Sequence, residues 1–226
     1  MIKILMSRGI LASSIVYEHA KKFITPNLKV VIAYFSFFDK HISNQKEYEA
    51  FYHPGGEYYQ KMIDTFANYG IKEEQITFLD YYNDSLGELK TKLNQADLLY
   101  LPGGAPEQMI NRFAERNILT KIKDFTGIVV GSSAGAMIQN DYYHISPDRD
   151  YHKFEIYEGL GLIKEFGIEV HFRSRKKSKQ AIRKVTKLMK RPLYTIPDDS
   201  AMIVNGQEIT LINNAKKYYD QKGKIK

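Results

Sequence analysis

The sequence predicts an α/β fold: a mostly parallel, doubly wound sheet with helices on both faces. Short runs rich in Val, Ile and Leu alternate along the chain with stretches of helical periodicity. Such alternation is typical of right-handed βαβ units and a parallel sheet. No Ser/Pro-rich linker, low-complexity tract or internal repeat interrupts the 226 residues, so we expect a single domain over residues 1–226.

The predicted elements follow one another in a regular order. Apolar runs predict strands at residues 1–7, 29–35, 76–79, 96–101 and 128–130, and later ones at 168–170, 194–196 and 201–204. Helical spacing predicts helices near residues 14–23, 58–69, 85–94 and 107–116. Gly70 stands just after the second of these helices, where a helix-terminating glycine belongs. Active sites of such folds gather at the carboxyl ends of the strands.

Composition limits the kinds of protein that the chain can be. The hydrophobic fraction is 43% and the charged fraction 26%, which is ordinary for a soluble globular protein. No apolar run approaches the ~20 residues of a membrane span, and the first residues read as a strand and not as a signal peptide. The absence of cysteine excludes disulfides, zinc–thiolate sites and a cysteine nucleophile. We expect a cytoplasmic protein.

The net charge of +7 is concentrated in residues 173–191, which contain ten basic residues and no acid. Ile182, Val185 and either Leu188 or Met189 recur there at helical spacing, which predicts an amphipathic helix. A solvated surface helix is the favoured interpretation, and a positive field for acidic substrates is the alternative. Nucleic acid is not an expected partner, because no aromatic stacking platform accompanies these charges.

Residues 127–138 carry the most informative motif. A β-branched run at 128–130 is followed at once by G-S-S-A-G at 131–135, a G-x-S-x-G pattern. In this pattern the serine lies on a sharp strand-to-helix turn with its hydroxyl above the sheet, and the glycines leave room around it. We therefore interpret Ser133 as a nucleophile at a nucleophile elbow. The alternative is a small-residue turn in which Ser133 only caps the next helix.

A second loop follows the strand at 96–101. Its residues 102–106 read P-G-G-A-P. Paired glycines allow unusual backbone angles and close approach to a ligand. Their N–H groups would form half of an oxyanion hole, with the N–H of Ala134 as the other half. A plain Pro-Gly turn is the alternative.

A serine nucleophile needs a base, usually histidine, because its pKa suits chemistry near neutral pH. His171 ends the apolar strand at 168–170 and is the candidate base. An acidic turn at 197–200 follows it, and this order of serine, histidine and acid argues against an α/β-hydrolase. His144 and His152 lie in a polar stretch, where we expect them to be solvated, with a metal-binding pair as the open alternative.

Together these motifs resemble peptidase family S51, the dipeptidase E and cyanophycinase group of serine peptidases. The matching features are the glycine pair at 103–104, the elbow at 131–136, the segment 159–172 and the acidic turn at 196–201. They occur in the family's order over almost the whole chain. The resemblance implies the class I glutamine amidotransferase-like fold, which is flavodoxin-like, and a mechanism without cofactor or metal.

The resemblance also implies roles for individual residues. Ser133 would be the nucleophile, His171 the general base, and Asp198 the acid that orients His171. Asp199 is the rival for that last role, because it is adjacent to Asp198.

Further residues are implied in substrate binding. The backbone N–H groups of Gly104 and Ala134 would hold the oxyanion. Gln108 would line the pocket, and Arg173 and Arg175 would pair with an acidic side chain of the substrate.

The implied activity is that of a serine-type peptidase, a hydrolase that cuts short peptides in the manner of dipeptidase E, with a preference for an acidic first residue. The partner would be a small peptide, and the enzyme a monomer or a homodimer. A glutamine-hydrolysing amidotransferase would need a cysteine at the elbow, which this chain lacks. The remaining alternative is a catalytically silent binding module whose basic face meets an acidic partner. The tyrosine-rich segment 48–59 is either a cover over the pocket or a surface turn.

Overall fold

The computed structural model describes residues 1–147, 150–220 and 223–224, in which helices and strands alternate. The helices are α1 (Ser14–Ala20), α2 (Gln45–Tyr52), α3 (Glu57–Ala67), α4 (Leu86–Gln95), α5 (Pro106–Glu115), α6 (Leu119–Lys123), α7 (Ala134–Met137) and α8 (Lys176–Met189). The strands are β1 (Ile2–Met6), β2 (Val30–Ala33), β3 (Ile76–Leu79), β4 (Leu98–Leu101), β5 (Ile128–Ser132), β6 (Tyr142–Ile145), β7 (Glu155–Glu158), β8 (Gly167–Val170), β9 (Leu193–Ile196), β10 (Ala201–Asn205), β11 (Glu208–Ile212), β12 (Lys216–Asp220) and β13 (Gly223–Lys224).

Seven strands form the central sheet, in the order β11-β10-β1-β5-β4-β2-β3. Five neighbouring strands run parallel, namely β1, β5, β4, β2 and β3. At one edge, β10 and β11 each pair antiparallel with their neighbours. In the register, Gly131 of β5 lies between Leu5 of β1 and Leu101 of β4. The elbow motif therefore follows a strand in the interior of the parallel region.

Alternate residues of the parallel strands face two separate apolar cores. Ile32 of β2 and Tyr100 of β4 belong to the core that contains buried residues of α1 and α3. The next residues along, Ala33 and Leu101, belong to the core that contains buried residues of α4, α5 and α6. The strands are apolar at successive positions because both faces of the sheet are covered.

A smaller sheet, in the order β13-β12-β9-β8, lies beside the central one. Its strands β8 and β9 are parallel, and β12 and β13 are antiparallel to their neighbours. Ile168 and Ile196 of this sheet pack with Leu5 and Met202 of the central sheet. The chain passes from β9 in one sheet to β10 in the other, so the acidic turn lies where the two sheets meet.

Local signals in the sequence explain where several helices begin and end. α4 begins with a capping box, in which Ser85 and Glu88 accept hydrogen bonds from each other's backbone N–H. α5 begins with Pro106, which lacks an N–H, but an N–H in the first turn would have no acceptor within the helix. Gly70 takes a left-handed φ of 73° shortly after α3.

The predicted fold class is confirmed, and the predicted elements are present with boundaries shifted by a few residues. The smaller sheet was not predicted, because pairing between strands that are distant in the sequence leaves no periodic signal. The β6–β7 hairpin was not predicted either. Within the described residues, no helix combines the length and apolar character that crossing a bilayer requires.

The predicted basic amphipathic helix is α8. Ile182 and Val185 are buried, and Met189 supplies the third apolar contact. Leu188, the other possibility for that position, is 58% exposed. The basic side chains described along α8 are mostly exposed, as on a solvated surface helix (Lys176, Arg183, Lys184 and Lys187).

The expectation that His144 is solvated is wrong. His144 lies in β6, is only 4% exposed, and hydrogen-bonds through Nε2 to Glu169 of β8. The contact between β6 and β8 removes this ring from water, and nothing in the polar sequence around it indicates that contact. His152 is exposed, as expected.

The first turn of α7 packs so closely on β4 that it leaves no room for a side chain. A Cβ on Gly135 would lie 1.9 Å from the carbonyl oxygen of Leu101. We expect Gly135→Ala to lower the free energy of unfolding by about 1–3 kcal/mol, because the backbone of a central strand must shift. Urea denaturation measures the change. Gly87→Ala in α4 is the control, since its Cβ would meet only Ser85 Oγ, at 3.9 Å. A loss of stability no larger for Gly135→Ala than for Gly87→Ala would contradict the prediction.

Candidate active site

Ser133 lies on the sharp turn between β5 and α7. Its backbone has φ 48° and ψ −112°, a conformation that residues with a side chain rarely adopt. The N–H of Ser133 donates to the carbonyl oxygen of Met6 at 2.8 Å, which holds the turn against β1. Only glycine fits at position 131, because a Cβ there would lie 2.2 Å from the carbonyl oxygen of Gly135. The turn presents the Ser133 side chain at the carboxyl end of the central sheet.

His171 follows β8 and faces Ser133 from the smaller sheet. Its Nε2 lies 2.9 Å from Ser133 Oγ. Its backbone is left-handed, with φ 52°, and its N–H donates to the hydroxyl of Ser7 at 2.9 Å. The buried Ser7 hydroxyl donates in turn to the carbonyl oxygen of Ile196 at 2.5 Å. Ser7 therefore fixes the ends of β8 and β9 relative to β1.

Asp198 completes a line of hydrogen bonds. Its Oδ1 lies 2.5 Å from His171 Nδ1, and its Oδ2 accepts from Arg8 at 3.3 Å and from Arg173 at 3.2 Å. Partial burial raises the pKa of Asp198, but the hydrogen bonds from His171, Arg8 and Arg173 outweigh it and lower the pKa to about 2. A charged carboxylate therefore faces the imidazole at neutral pH.

The two adjacent aspartates of the acidic turn point to different partners. Asp199 accepts from the Ser200 hydroxyl at 3.0 Å and from the Asn214 side-chain amide at 3.3 Å. Asp198, and not Asp199, contacts His171.

The glycine loop after β4 is held by Ser36. A Cβ on Gly104, whose φ is 137°, would lie 2.0 Å from the carbonyl oxygen of Ser36, so only glycine fits there. The Ser36 hydroxyl donates to the carbonyl oxygen of Gly103 at 2.6 Å, and the Ser36 carbonyl accepts from the N–H of Ala105 at 2.7 Å. These bonds fix the loop beside the elbow.

Two backbone N–H groups near Ser133, those of Gly104 and Ala134, have no acceptor within the part of the chain that the structure describes. Gly104 lines the space around the Ser133 side chain. Ala134 directly follows Ser133 and is the first residue of α7. A pair of free N–H groups from these two positions is typical of a site that binds an oxyanion.

Ser133 lies between two cavities, whose linings also share Phe38, Gly104 and His171. The smaller cavity has a volume of about 370 Å³ and is lined by residues of β6, α7 and β8. The larger one has a volume of about 790 Å³ and is lined by residues around the ends of β1, β2 and β4 and by α2 and α3. A ligand therefore has space on both sides of the serine.

The tyrosine-rich segment 48–59 forms a wall of the larger cavity. Phe51, Tyr52 and Tyr58 line it. Tyr34 stacks on Tyr52 with ring centroids 4.2 Å apart, and its hydroxyl donates to the carbonyl oxygen of Tyr58 at 2.7 Å. The segment is thus packed on the sheet as a side of the pocket.

Three residues that the resemblance implied in substrate binding lie outside the linings of both cavities: Gln108, Arg173 and Arg175. The Gln108 side chain accepts from Arg112 at 3.3 Å. Arg173 donates to Asp198, and Arg175 is exposed at the residue before α8.

Sequence reasoning missed several residues that shape the site. Ser7 and Ser36 position the histidine and the glycine loop, as described above. The buried Arg112 donates to the carbonyl oxygens of Phe35 at 2.7 Å and Phe37 at 2.6 Å, and so fixes the loop that contains Ser36. No motif marks these residues, because their partners are distant in the sequence.

Within the described residues, no group of three or more His, Asp or Glu side chains is arranged to hold a metal ion. The ring of His144, which the sequence left open as half of a metal-binding pair, hydrogen-bonds to Glu169.

Residues 49–212 match the model of peptidase family S51. The chain belongs to peptidase family S51. It is therefore a hydrolase of the serine peptidase class, in agreement with the serine at its elbow. No curated protein sequence matches this S51 peptidase significantly.

Two solved structures resemble the S51 peptidase over nearly its full length. One is a crystal structure from Listeria monocytogenes EGD-e, provisionally named as a peptidase E protein, with a TM-score of 0.66, 18% identity, and coverage of 96% of this chain and 98% of that one. The other is a peptidase from an acI-B1 Actinobacterium, with a TM-score of 0.61, 15% identity and coverage of 96% of each chain. At these identities the likeness shows a shared fold.

The lowered pKa of Asp198 makes the stability of the S51 peptidase depend on pH. Because the folded-state pKa, about 2, lies below the unfolded value of about 3.9, the stabilisation is complete above pH ~4 and is lost as the pH falls towards 2. We expect the difference in the free energy of unfolding between wild type and Asp198→Asn, measured by urea denaturation, to shrink as the pH falls from ~4 to about 2. Asp199→Asn, which removes a carboxylate without a contact to His171, is the control. A difference for Asp198→Asn that stays constant over the range would contradict the prediction.

Proposed function

We propose that this S51 peptidase hydrolyses short peptides through an acyl-enzyme, with Ser133 as the nucleophile, His171 as the base and Asp198 as the residue that orients His171. The observation that carries the proposal is the line of hydrogen bonds from Asp198 Oδ1 through His171 to Ser133 Oγ. This line ends at the boundary of two cavities. The nucleophile is thus within hydrogen-bond distance of the base, and the base within hydrogen-bond distance of the orienting group.

Acylation begins when Ser133 Oγ attacks the peptide carbonyl carbon and His171 Nε2 takes its proton. The charged Asp198 keeps the imidazole in the tautomer with a proton on Nδ1 and stabilises the imidazolium that forms. His171 then gives its proton to the leaving amine. Water attacks the acyl-enzyme by the same route and returns Ser133 to its free form.

The N–H groups of Gly104 and Ala134 donate to the oxyanion of each tetrahedral intermediate. Two observations support this role. Both N–H groups lack an acceptor among the described residues, and the strained elbow and Ser36 fix them in place. Donors that are already in position need no reorganisation during the reaction, and the loss of one such donor typically costs about 10²–10³ in rate.

The cavities favour a short substrate. Their volumes, about 370 and 790 Å³, fall in the range of sites for small ligands. Arg8 and Lys61 line the larger cavity, and no Asp or Glu stands among its described lining residues. This supports the preference for an acidic first residue, with Arg8 and Lys61 as the positive groups in contact with substrate in place of Arg173 and Arg175.

The test is hydrolysis of the dipeptides Asp-Leu, Glu-Leu, Lys-Leu and Leu-Leu. We expect Ser133→Ala to lower kcat/KM by about 10⁶-fold and Asp198→Asn by about 10⁴-fold, because these changes remove the nucleophile and the orienting acid. Asp199→Asn is the matched control and should keep most of the activity. Retained hydrolysis by Ser133→Ala, or equal losses in the two aspartate variants, would refute the assignment. If wild type cleaves none of the four, the proposal of a short-peptide substrate fails.

A further inference from the structure

The larger cavity beside Ser133 contains an aromatic surface that a ligand can reach. This surface is formed by Phe51 and Tyr52 at the end of α2 and by Tyr58 in the first turn of α3, all of which line the cavity. Tyr52 is buried, but Phe51 is 37% exposed and Tyr58 is 39% exposed. Exposed rings on the wall of a cavity leave apolar area that a bound group can cover.

The three rings of the aromatic surface are packed on one another and on the sheet. The ring centroid of Tyr58 lies 5.9 Å from that of Phe51 and 5.5 Å from that of Tyr52. Tyr52 stacks in turn on Tyr34, which directly follows β2. Side chains that are already ordered lose little conformational entropy when a ligand binds. The surface is therefore prepared for binding.

The turn between α2 and α3 fixes the position of Phe51 relative to Tyr58. Only glycine fits at position 56, because a Cβ there would lie 2.4 Å from the carbonyl oxygen of Phe51. The N–H of Gly56 donates to the carbonyl oxygen of His53 at 2.8 Å, and His53 Nε2 lies 2.6 Å from Asp80 Oδ2, just after β3. The turn that joins the two helices is thus anchored to the central sheet.

The other residues of the lining indicate which part of a substrate the aromatic surface can take. Ile10, Ile42 and Met62 add apolar side chains. Arg8 and Lys61 supply positive charge, and no Asp or Glu stands among the described lining residues. Because the two cations suit the carboxylates of a peptide, the aromatic surface remains for an apolar side chain.

An aromatic side chain suits this surface better than an aliphatic one of similar size. Aromatic rings prefer tilted or offset neighbours with centroids about 4.5–7 Å apart, and such pairs gain stability beyond the area they bury. Tyr58 already packs in this way, with its ring plane inclined by 50° to that of Phe51 and by 40° to that of Tyr52. A further ring would continue this packing, whereas a saturated side chain would gain only from the burial of its area.

We infer that the aromatic surface binds an aromatic side chain of the substrate residue that follows the cut bond, so that the enzyme prefers peptides with Phe, Tyr or Trp at that position. This inference rests on the proposed function, which gives the acidic side chain to the residue before the cut bond. The larger cavity, with a volume of about 790 Å³, has room for a side chain of this size. The tyrosine-rich segment 48–59 is then the wall that selects the leaving residue.

The test is hydrolysis of six dipeptides, which combine Asp or Leu as the first residue with Phe, cyclohexylalanine or Ala as the second. The ratio kcat/KM covers all steps through acylation, so it reports contacts of the leaving residue even when a later step limits kcat. We expect wild type to favour Phe over Ala by about 10- to 100-fold. It should favour Phe over cyclohexylalanine by about 2- to 10-fold, which is the part that depends on aromatic packing.

Variants of the rings show whether the aromatic surface causes this preference. The double variant Phe51→Leu/Tyr58→Leu keeps apolar side chains on the wall but removes the exposed rings, and should bring the Phe and cyclohexylalanine peptides to equal kcat/KM. Tyr59→Leu is the matched control, because Tyr59 also belongs to α3 but stacks on Phe78 and is not part of the described lining. It should keep the preference. Each comparison is made within one variant, so a folding defect that slows all peptides leaves the ratio unchanged.

The outcomes separate this inference from the proposed function. Equal kcat/KM for the Phe and cyclohexylalanine peptides in wild type would overturn the inference. So would a preference that the double variant keeps, or one that Tyr59→Leu loses to the same extent. In each of these cases, cleavage that disappears in Ser133→Ala still supports the proposed function. If wild type cuts none of the six peptides, the proposed function fails, and this inference with it.

Discussion

The two residues with strained backbones in the site, Ser133 and His171, are both held by the end of strand β1. The carbonyl of Met6 accepts the N–H of Ser133, and the hydroxyl of Ser7 accepts the N–H of His171. A left-handed φ costs a residue with a side chain about 1–2 kcal/mol, so neither conformation persists without such support. Met6, the last residue of β1, and Ser7, which follows it, thus set the distance between Ser133 and His171.

The rest of the site is arranged around this point. The Ser7 hydroxyl also holds the carbonyl of Ile196, two residues before Asp198, so Asp198 and His171 are positioned together. On the opposite side, Arg112 and Ser36 fix the glycine loop. Rigid support of this kind is what a site needs when small displacements of reacting atoms cost large factors in rate.

The local parts of this arrangement could be predicted from the sequence. The elbow at 131–135 and the glycine pair at 103–104 depend on backbone conformations that short motifs specify, and alternating apolar runs predicted the parallel sheet. The parts that depend on distant contacts could not be predicted. Ser7 meets His171 across 164 positions in the sequence, His144 meets Glu169 only because β6 packs beside β8, and nothing local distinguishes Asp198 from Asp199.

The most direct measurement of the site is the proton NMR signal of the hydrogen bond between His171 Nδ1 and Asp198. A proton shared over 2.5 Å should resonate far downfield of the amide region in wild type, and the signal should be absent from His171→Gln and from Asp198→Asn. Downfield signals from the His53–Asp80 and His144–Glu169 pairs should remain in both variants, which identifies the one from His171. A His171 signal that persists unchanged in Asp198→Asn would show that Asp198 does not hold the base, and the proposed catalytic arrangement would be wrong.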